Sequence, residues 1–157
     1  MLPRPSSEPP EERRVDLQAL YDKIEITELL TRYASSVDAR DWERLKTVFT
    51  PGAELDYSSV RGPVASRDEV VAWLEASLGT APWTQHLISN LEIELDGDRA
   101  KVRAMFYNPM LLPGLTDYSF CGGYYNHELV RTPDGWKSER LVEENVWFVN
   151  DPTKPSA

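Results

Sequence analysis

The sequence predicts an α+β domain, and three observations carry the prediction. Apolar residues recur at helical spacing through the first third of the chain and again over 66–78. From residue 84 the period shortens to two, in four long segments parted by turn sequences. Helices first and a strand meander afterwards is the order of an α+β chain, not of alternating βαβ units.

Residues 1–14 are rich in Pro, Glu and Ser and have no apolar run, so they read as a disordered lead-in and not as a signal peptide or membrane span. Asp16 can cap a long amphipathic helix in which Leu17, Leu20, Tyr21, Ile24, Ile26, Leu29, Leu30 and Tyr33 recur at near-helical spacing. Asp41 can cap a second helix, with Trp42, Leu45, Val48 and Phe49 as its stripe and Thr50-Pro51-Gly52 as its stop. Residues 53–58 alternate as a half-buried strand with Tyr57 on the apolar side. After Gly62-Pro63, Ser66 and Glu69 stand at capping-box spacing ahead of Val70, Val71, Trp73, Leu74 and Leu78, a third helix that Gly79 ends. Strands are expected at 84–95, 100–111, 119–131 and 136–149, with turns at Asp96-Gly97-Asp98 and Thr132-Pro133-Asp134-Gly135. One domain thus covers 15–150, with 151–157 as a tail.

Strand parity selects the polar side chains that can face an interior. Over 100–111, Ala100, Val102, Ala104, Phe106, Asn108 and Met110 share a face opposite Lys101 and Arg103. In the next strand Cys121, Gly123, Tyr125, His127 and Leu129 share one, opposite Asn126 and Glu128. Asn108, Met110, Tyr125 and His127 are therefore the candidate substrate-binding residues. Over 84–95 the apolar face is even at His86 and Ile88 but odd at Leu91, Ile93 and Leu95, so His86 points inward only if a bulge lies near Ser89 or Asn90.

The chain has 157 residues, 41% hydrophobic and 10% aromatic, enough for one domain enclosing a ligand-sized cavity. Its formal charge of −9, from 26 acidic against 17 basic residues, argues against nucleic acid and anionic membrane as partners and leaves an apolar or weakly polar small molecule. Cys121 is the single cysteine and no Cys/His cluster has zinc spacing, so no disulfide, metal or cofactor is expected. Lacking a visible activator, Cys121 reads as packing, and Gly122-Gly123 reads as strand curvature or close backbone approach. With no targeting segment, a cytoplasmic location is expected. Met105 and Tyr107, with Trp136, Trp147 and Phe148, are more aromatic surface than a small domain leaves in water, so a homo-oligomer is expected.

The chemistry gathers around 32–42, where one helix ends and another begins. Leu30, Tyr33 and Val37 form an inward stripe, with Asp38 just past its end. Asp38, His86, Tyr33 and Tyr57 are the parts for cofactor-free proton transfer: a histidine base, a carboxylate to orient it, and phenols to polarise an oxygen. Each also has an ordinary reading, as a satisfied histidine at a strand start, a helix-end aspartate or a core tyrosine with one hydrogen bond. The residue pattern by itself leaves both open.

Tyr33-x4-Asp38-x2-Asp41-Trp42, then Asp56-Tyr57, then Thr84-Gln85-His86, then the hairpin ending in Asp134-Gly135-Trp136-Lys137, resemble the SnoaL-like branch of the nuclear transport factor 2-like superfamily. The similarity runs from Leu17 to Val149 and within that branch is nearest to scytalone dehydratase and bile-acid 7α-dehydratase. It implies a cone-shaped, curved antiparallel sheet closed by the N-terminal helices, a cystatin-like α+β barrel with the active site inside. It also implies catalytic roles: Asp38 and His86 match the Asp–His pair of both dehydratases, Tyr57 a tyrosine present in both, and Tyr33 the catalytic tyrosine of the bile-acid enzyme. Val37 stands where the scytalone enzyme has its second tyrosine, and Met110 near a position that is polar in both. His127 and Tyr125 correspond approximately to an asparagine and a serine of the scytalone pocket.

The activity so implied is that of a cofactor-independent dehydratase-type lyase acting on a hydroxylated, carbonyl-bearing cyclic molecule, steroid-like or polyketide-like. His86 would take the proton beside the carbonyl and return it to the departing hydroxyl. Asp38 would fix the histidine tautomer, and Tyr57 and Tyr33 would hydrogen-bond the enolate oxygen. Since the superfamily hosts several chemistries, a ketosteroid-type isomerase and a noncatalytic ligand-binding module remain alternatives. The resemblance also favours a dimer or trimer built on the convex sheet.

Overall fold

A computed structural model describes residues 16–152. The expected lead-in and residues 153–157 of the expected tail lie outside them. The chain order is α1 (Leu17–Ala39), α2 (Trp42–Lys46), β1 (Phe49–Asp56), β2 (Val64–Ser66), α3 (Arg67–Leu78), β3 (Trp83–Thr84), β4 (Leu87–Asp96), β5 (Arg99–Leu111), β6 (Ser119–Thr132) and β7 (Gly135–Val149). The sheet is ordered β2-β1-β7-β6-β5-β3, with β4 also paired to β5. The result is an α+β cone: a curled sheet whose concave side is closed by helices.

Asp16 caps α1 by accepting the Ala19 N–H at 3.0 Å. The buried face of α1 comprises Asp22, Ile26, Leu29, Leu30, Tyr33, Ala34 and Val37, three or four apart, and packs against β4 and β7. The expected stripe is corrected at its start, where Leu17, Leu20, Tyr21 and Ile24 are exposed and the inward face begins at Asp22. Asp22 takes both Arg131 guanidinium nitrogens at 2.8 Å, the Trp136 Nε1–H at 3.2 Å and the Gln18 amide at 3.0 Å. This ties the helix to the ends of β6 and β7. Trp136 is therefore core, not interface.

Four register shifts bend the strands, at Phe49/Glu54, Ser89/Glu92, Gly122/Gly123 and Glu128/Leu129. At Gly123 an added Cβ would lie 1.9 Å from the Glu144 carbonyl oxygen, so close approach of β7 requires glycine there. The shift in β4, with Asn90 at φ 50°, reverses the inward parity between Ile88 and Leu91 as the apolar pattern demands.

Three expectations are corrected. The second helix stops at Lys46, because five residues hold little helix by themselves and Val48, Phe49 and Thr50 prefer extended backbone; Pro51 and Gly52 then sit in the irregular part of β1. The sheet is not wholly antiparallel, since β1 enters from the helical layer without a hairpin and pairs parallel with β7. The strand expected over 84–95 is two, parted at Gln85-His86, and the short β2 was not expected. Among the described residues no helix is long and apolar enough to cross a membrane.

Asp22→Asn is expected to lower unfolding stability by about 2 kcal/mol, the scale of a hydrogen bond to a charged group. The Arg131 hydrogen bonds, with burial opposing, hold the Asp22 carboxyl at about 2, below its ordinary 3.8. A depressed carboxylate contributes stability above its unfolded value and loses it as pH falls through the folded one. Thermal melts should therefore show wild type losing its advantage over Asp22→Asn between pH 4 and 2.

Candidate active site

The last turn of α1 places Asp38 against the gap between β3 and β4. Asp38 Oδ1 is 2.7 Å from His86 Nδ1 and accepts the Thr84 hydroxyl at 3.0 Å, while Oδ2 accepts the His86 backbone N–H at 2.8 Å. The helix can stop there because Arg40 takes the left-handed conformation at φ 59°. Its guanidinium then donates to the carbonyls of Val37, Asp38 and Ala81 and to the Thr84 hydroxyl. Burial pushes the Asp38 carboxyl up, but hydrogen bonds and charge from His86, with the Thr84 hydroxyl, outweigh it and hold it below its ordinary value. An ionised Asp38 puts the histidine proton on Nδ1, which leaves Nε2 as an acceptor. The imidazole is 6% exposed and lines a cavity of about 660 Å³, within the usual range for small-molecule sites.

The same cavity is lined by Tyr33, Tyr57, Asn108, Met110 and Tyr125. Tyr33 and Tyr57 share a hydrogen bond at 2.5 Å, and Asn108 Nδ2 donates to Tyr125 Oη at 3.1 Å. Tyr57 lies just beyond β1 and not within a strand, with its ring 5.5 Å from Trp73. Gly62 makes room for this pair, since an added Cβ would meet both side chains. Burial raises the Tyr33, Tyr57 and Tyr125 hydroxyls far above the ordinary phenol value, so all three are neutral donors.

Two candidates sit elsewhere. Asp38 does not form the cavity wall but backs His86 from behind. His127, expected as a substrate contact, is buried outside the wall, with Nδ1 3.0 Å from Ser138 Oγ and its ring 6.3 Å from Tyr33. Burial pushes its imidazole down to about 3, so it is neutral. Burial likewise pushes Cys121 up to about 12, an inert thiol. Among the described residues no three His, Cys, Asp or Glu side chains gather as a metal site.

Glu143 on β7 is a titratable cavity residue the sequence reading missed. It is 6% exposed, its Oε2 has no hydrogen-bond partner, and burial pushes its carboxyl up to about 8. Counting in twos from Leu141 would have put it on the inward face. Thr84 and Arg40 carry no such signal, because their roles come from contacts more than 40 residues away in sequence.

Residues 18–142 match the family described as a SnoaL-like domain. The uncharacterised protein Rv2910c of Mycobacterium tuberculosis is 39% identical over 125 residues, 79% of this chain and 85% of that protein. Among solved structures, the Kfla4162 protein of Kribbella flavida superposes with a TM-score of 0.78 at 30% identity, covering 85% of this chain and 97% of that one. A Novosphingobium aromaticivorans protein proposed to be a scytalone dehydratase gives 0.76 at 22% identity, covering 83% and 88%; at that identity the likeness concerns the fold.

The Asp38–His86 contact has a spectroscopic consequence that needs no ligand. A proton held between Nδ1 and a carboxylate at 2.7 Å should give a downfield imidazole N–H resonance in proton NMR. It should vanish in His86→Ala and Asp38→Asn and persist in Tyr57→Phe; its survival in Asp38→Asn would mean the pair is not formed in solution.

Proposed function

The chain belongs to the SnoaL-like family, and on that premise we propose that it is a dehydratase-type lyase acting on a hydroxylated, carbonyl-bearing cyclic substrate. The observation that carries this reading is a histidine oriented by an ionised aspartate, with its second nitrogen available to a cavity that also presents a tyrosine pair. His86 Nε2 takes the proton beside the substrate carbonyl. Asp38 holds the imidazole in the required tautomer and stabilises the cation that forms. The carbonyl oxygen gains negative charge as the C–H bond breaks, and Tyr57 and Tyr33 supply neutral hydroxyl donors toward it. Trp73, Met110, Leu112 and Phe148 form apolar wall, suited to a fused-ring skeleton of steroid-like or polyketide-like shape. The name borne by the N. aromaticivorans neighbour fits the same chemistry.

The test begins with hydroxy-steroid and aromatic ketol panels, read by mass and ultraviolet absorbance. Loss of one water supports the dehydratase; unchanged mass with a moved double bond supports an isomerase. On the responsive substrate, His86→Ala and Asp38→Asn should each lower turnover roughly 10²-fold or more, the scale of a positioned base. The double variant should be hardly worse than either, because residues acting as a unit are non-additive. Tyr57→Phe should cost less. Independent, multiplying effects of His86 and Asp38 would show that they are not a catalytic pair.

We also propose that the protein is a homodimer or homotrimer assembled on the convex sheet. Met105, Tyr107 and Trp147 are exposed there, with Tyr107 5.9 Å from the Trp147 ring across Gly122. Sedimentation at micromolar concentration should give an oligomer that Tyr107→Glu with Trp147→Glu dissociates; a wild-type monomer would refute the assembly.

A further inference from the structure

Proton abstraction is half of a dehydration. The departing hydroxyl also needs a proton, because hydroxide is a poor leaving group. Met110, near the position where the resembling dehydratases carry a polar group, cannot provide it. Glu143 lies in the wall of the same cavity, directly opposite Tyr125 in the β6–β7 register and therefore beside it on the concave face. Its surroundings are the Tyr33, Tyr57 and Tyr125 hydroxyls and the Cys121 thiol, with Ser59 hydrogen-bonded to it and the Asp56 carboxylate adding negative charge; His86 and Arg61 line the same cavity. Oε2 is buried and without a hydrogen-bond partner. A carboxyl so placed is kept as the acid, with a hydrogen bond left for something entering the cavity. Asn108 Oδ1 is a second buried atom without a partner, and its amide is bonded to the same Tyr125. A substrate hydroxyl near Tyr125 can therefore donate to Asn108 and accept from Glu143.

We propose that Glu143 is the general acid of the elimination, giving its carboxyl proton to the substrate hydroxyl as the C–O bond breaks. This rests on the reading of His86 as base. The electron pair of the C–H bond becomes the new double bond, and the pair of the C–O bond leaves with oxygen. One proton goes from carbon to His86 Nε2 and another from Glu143 to the departing oxygen, so water is released. The enzyme is left as imidazolium and carboxylate. A proton passing from His86 to Glu143, directly or through solvent, restores both groups. The division of labour replaces the sequence-based expectation that His86 moves the proton in both directions.

Three probes separate the roles: α-tetralone, its derivative with a hydroxyl β to the carbonyl, and the corresponding β-acetoxy compound. Deuterium exchange at the carbon beside the carbonyl of α-tetralone needs a base only. Loss of water needs base and acid, whereas acetate departs without a proton. Glu143→Gln is expected to slow water loss roughly 10²-fold, to slow acetate loss far less, and to retain exchange, which also reports that fold and base are intact. Equal losses on the hydroxy and acetoxy compounds, or no loss on the hydroxy compound, would overturn the acid role while leaving the base role standing. Exchange that is absent in wild type or indifferent to His86→Ala would overturn the base assignment itself. Without any substrate, infrared spectroscopy at neutral pH should find a protonated-carboxyl band that Glu143→Gln removes; an ionised Glu143 under those conditions refutes the proposal.

Discussion

A long helix has to end inside a cone, and the way it ends governs the rest. The buried face of α1 runs to Val37, so the termination falls against the interior. Arg40 accepts a left-handed backbone costing on the order of 1 kcal/mol and offsets it with four guanidinium hydrogen bonds. Those bonds do two things together. They add a donor to the Val37 carbonyl and supply one to the Asp38 carbonyl at the helix end, and they join α1 to residues 81–84 before β4 begins. Asp38 is thereby fixed where it can receive the hydroxyl of Thr84 and both the backbone and ring N–H of His86.

The sheet answers to the same constraint. A flat sheet could not wrap a helix and leave room beside it, so four register shifts bend three of its pairings, one of them at a glycine that faces backbone at impossible distance for any side chain. Around the cavity so formed, two carboxyls live under opposite conditions. Asp38 collects donors on both oxygens and stays ionised, while Glu143 has an oxygen with no donor and burial favours its neutral form. One cavity can thus orient a base at one wall and hold a neutral acid at another. The three tyrosines that line the same cavity are too deeply buried to ionise and serve as donors.

Much of this was legible in one dimension. Helical spacing located α1 and α3, the capping box located the start of α3, and period-two alternation located β5, β6 and β7 and the inward set Asn108, Met110 and Tyr125. The parity conflict at His86 required a bulge, which β4 contains. Val48 and Phe49 fit a helical stripe as well as a strand, and only pairing beside β7 decides between them. His127 had the right parity but is buried outside the cavity wall, because parity tells which face a residue takes and not how far along the cone the packing closes.

The sequence by itself determined the fold class, the inward faces of the long strands and the net acidic charge, and it offered Asp38, His86, Tyr33 and Tyr57 as candidates but not Glu143, because local periodicity and residue chemistry reach that far and no further. Only the tertiary structure decided which of those groups meet. Asp38 and His86 are 48 residues apart, Tyr33 and Tyr57 are 24 apart, and Arg40 reaches Ala81. The opposite directions in which the Asp38 and Glu143 carboxyls are pushed were likewise decided there. A carboxyl's charge depends on how many donors and how much water the folded chain brings to it, and neither quantity exists until distant segments are packed together.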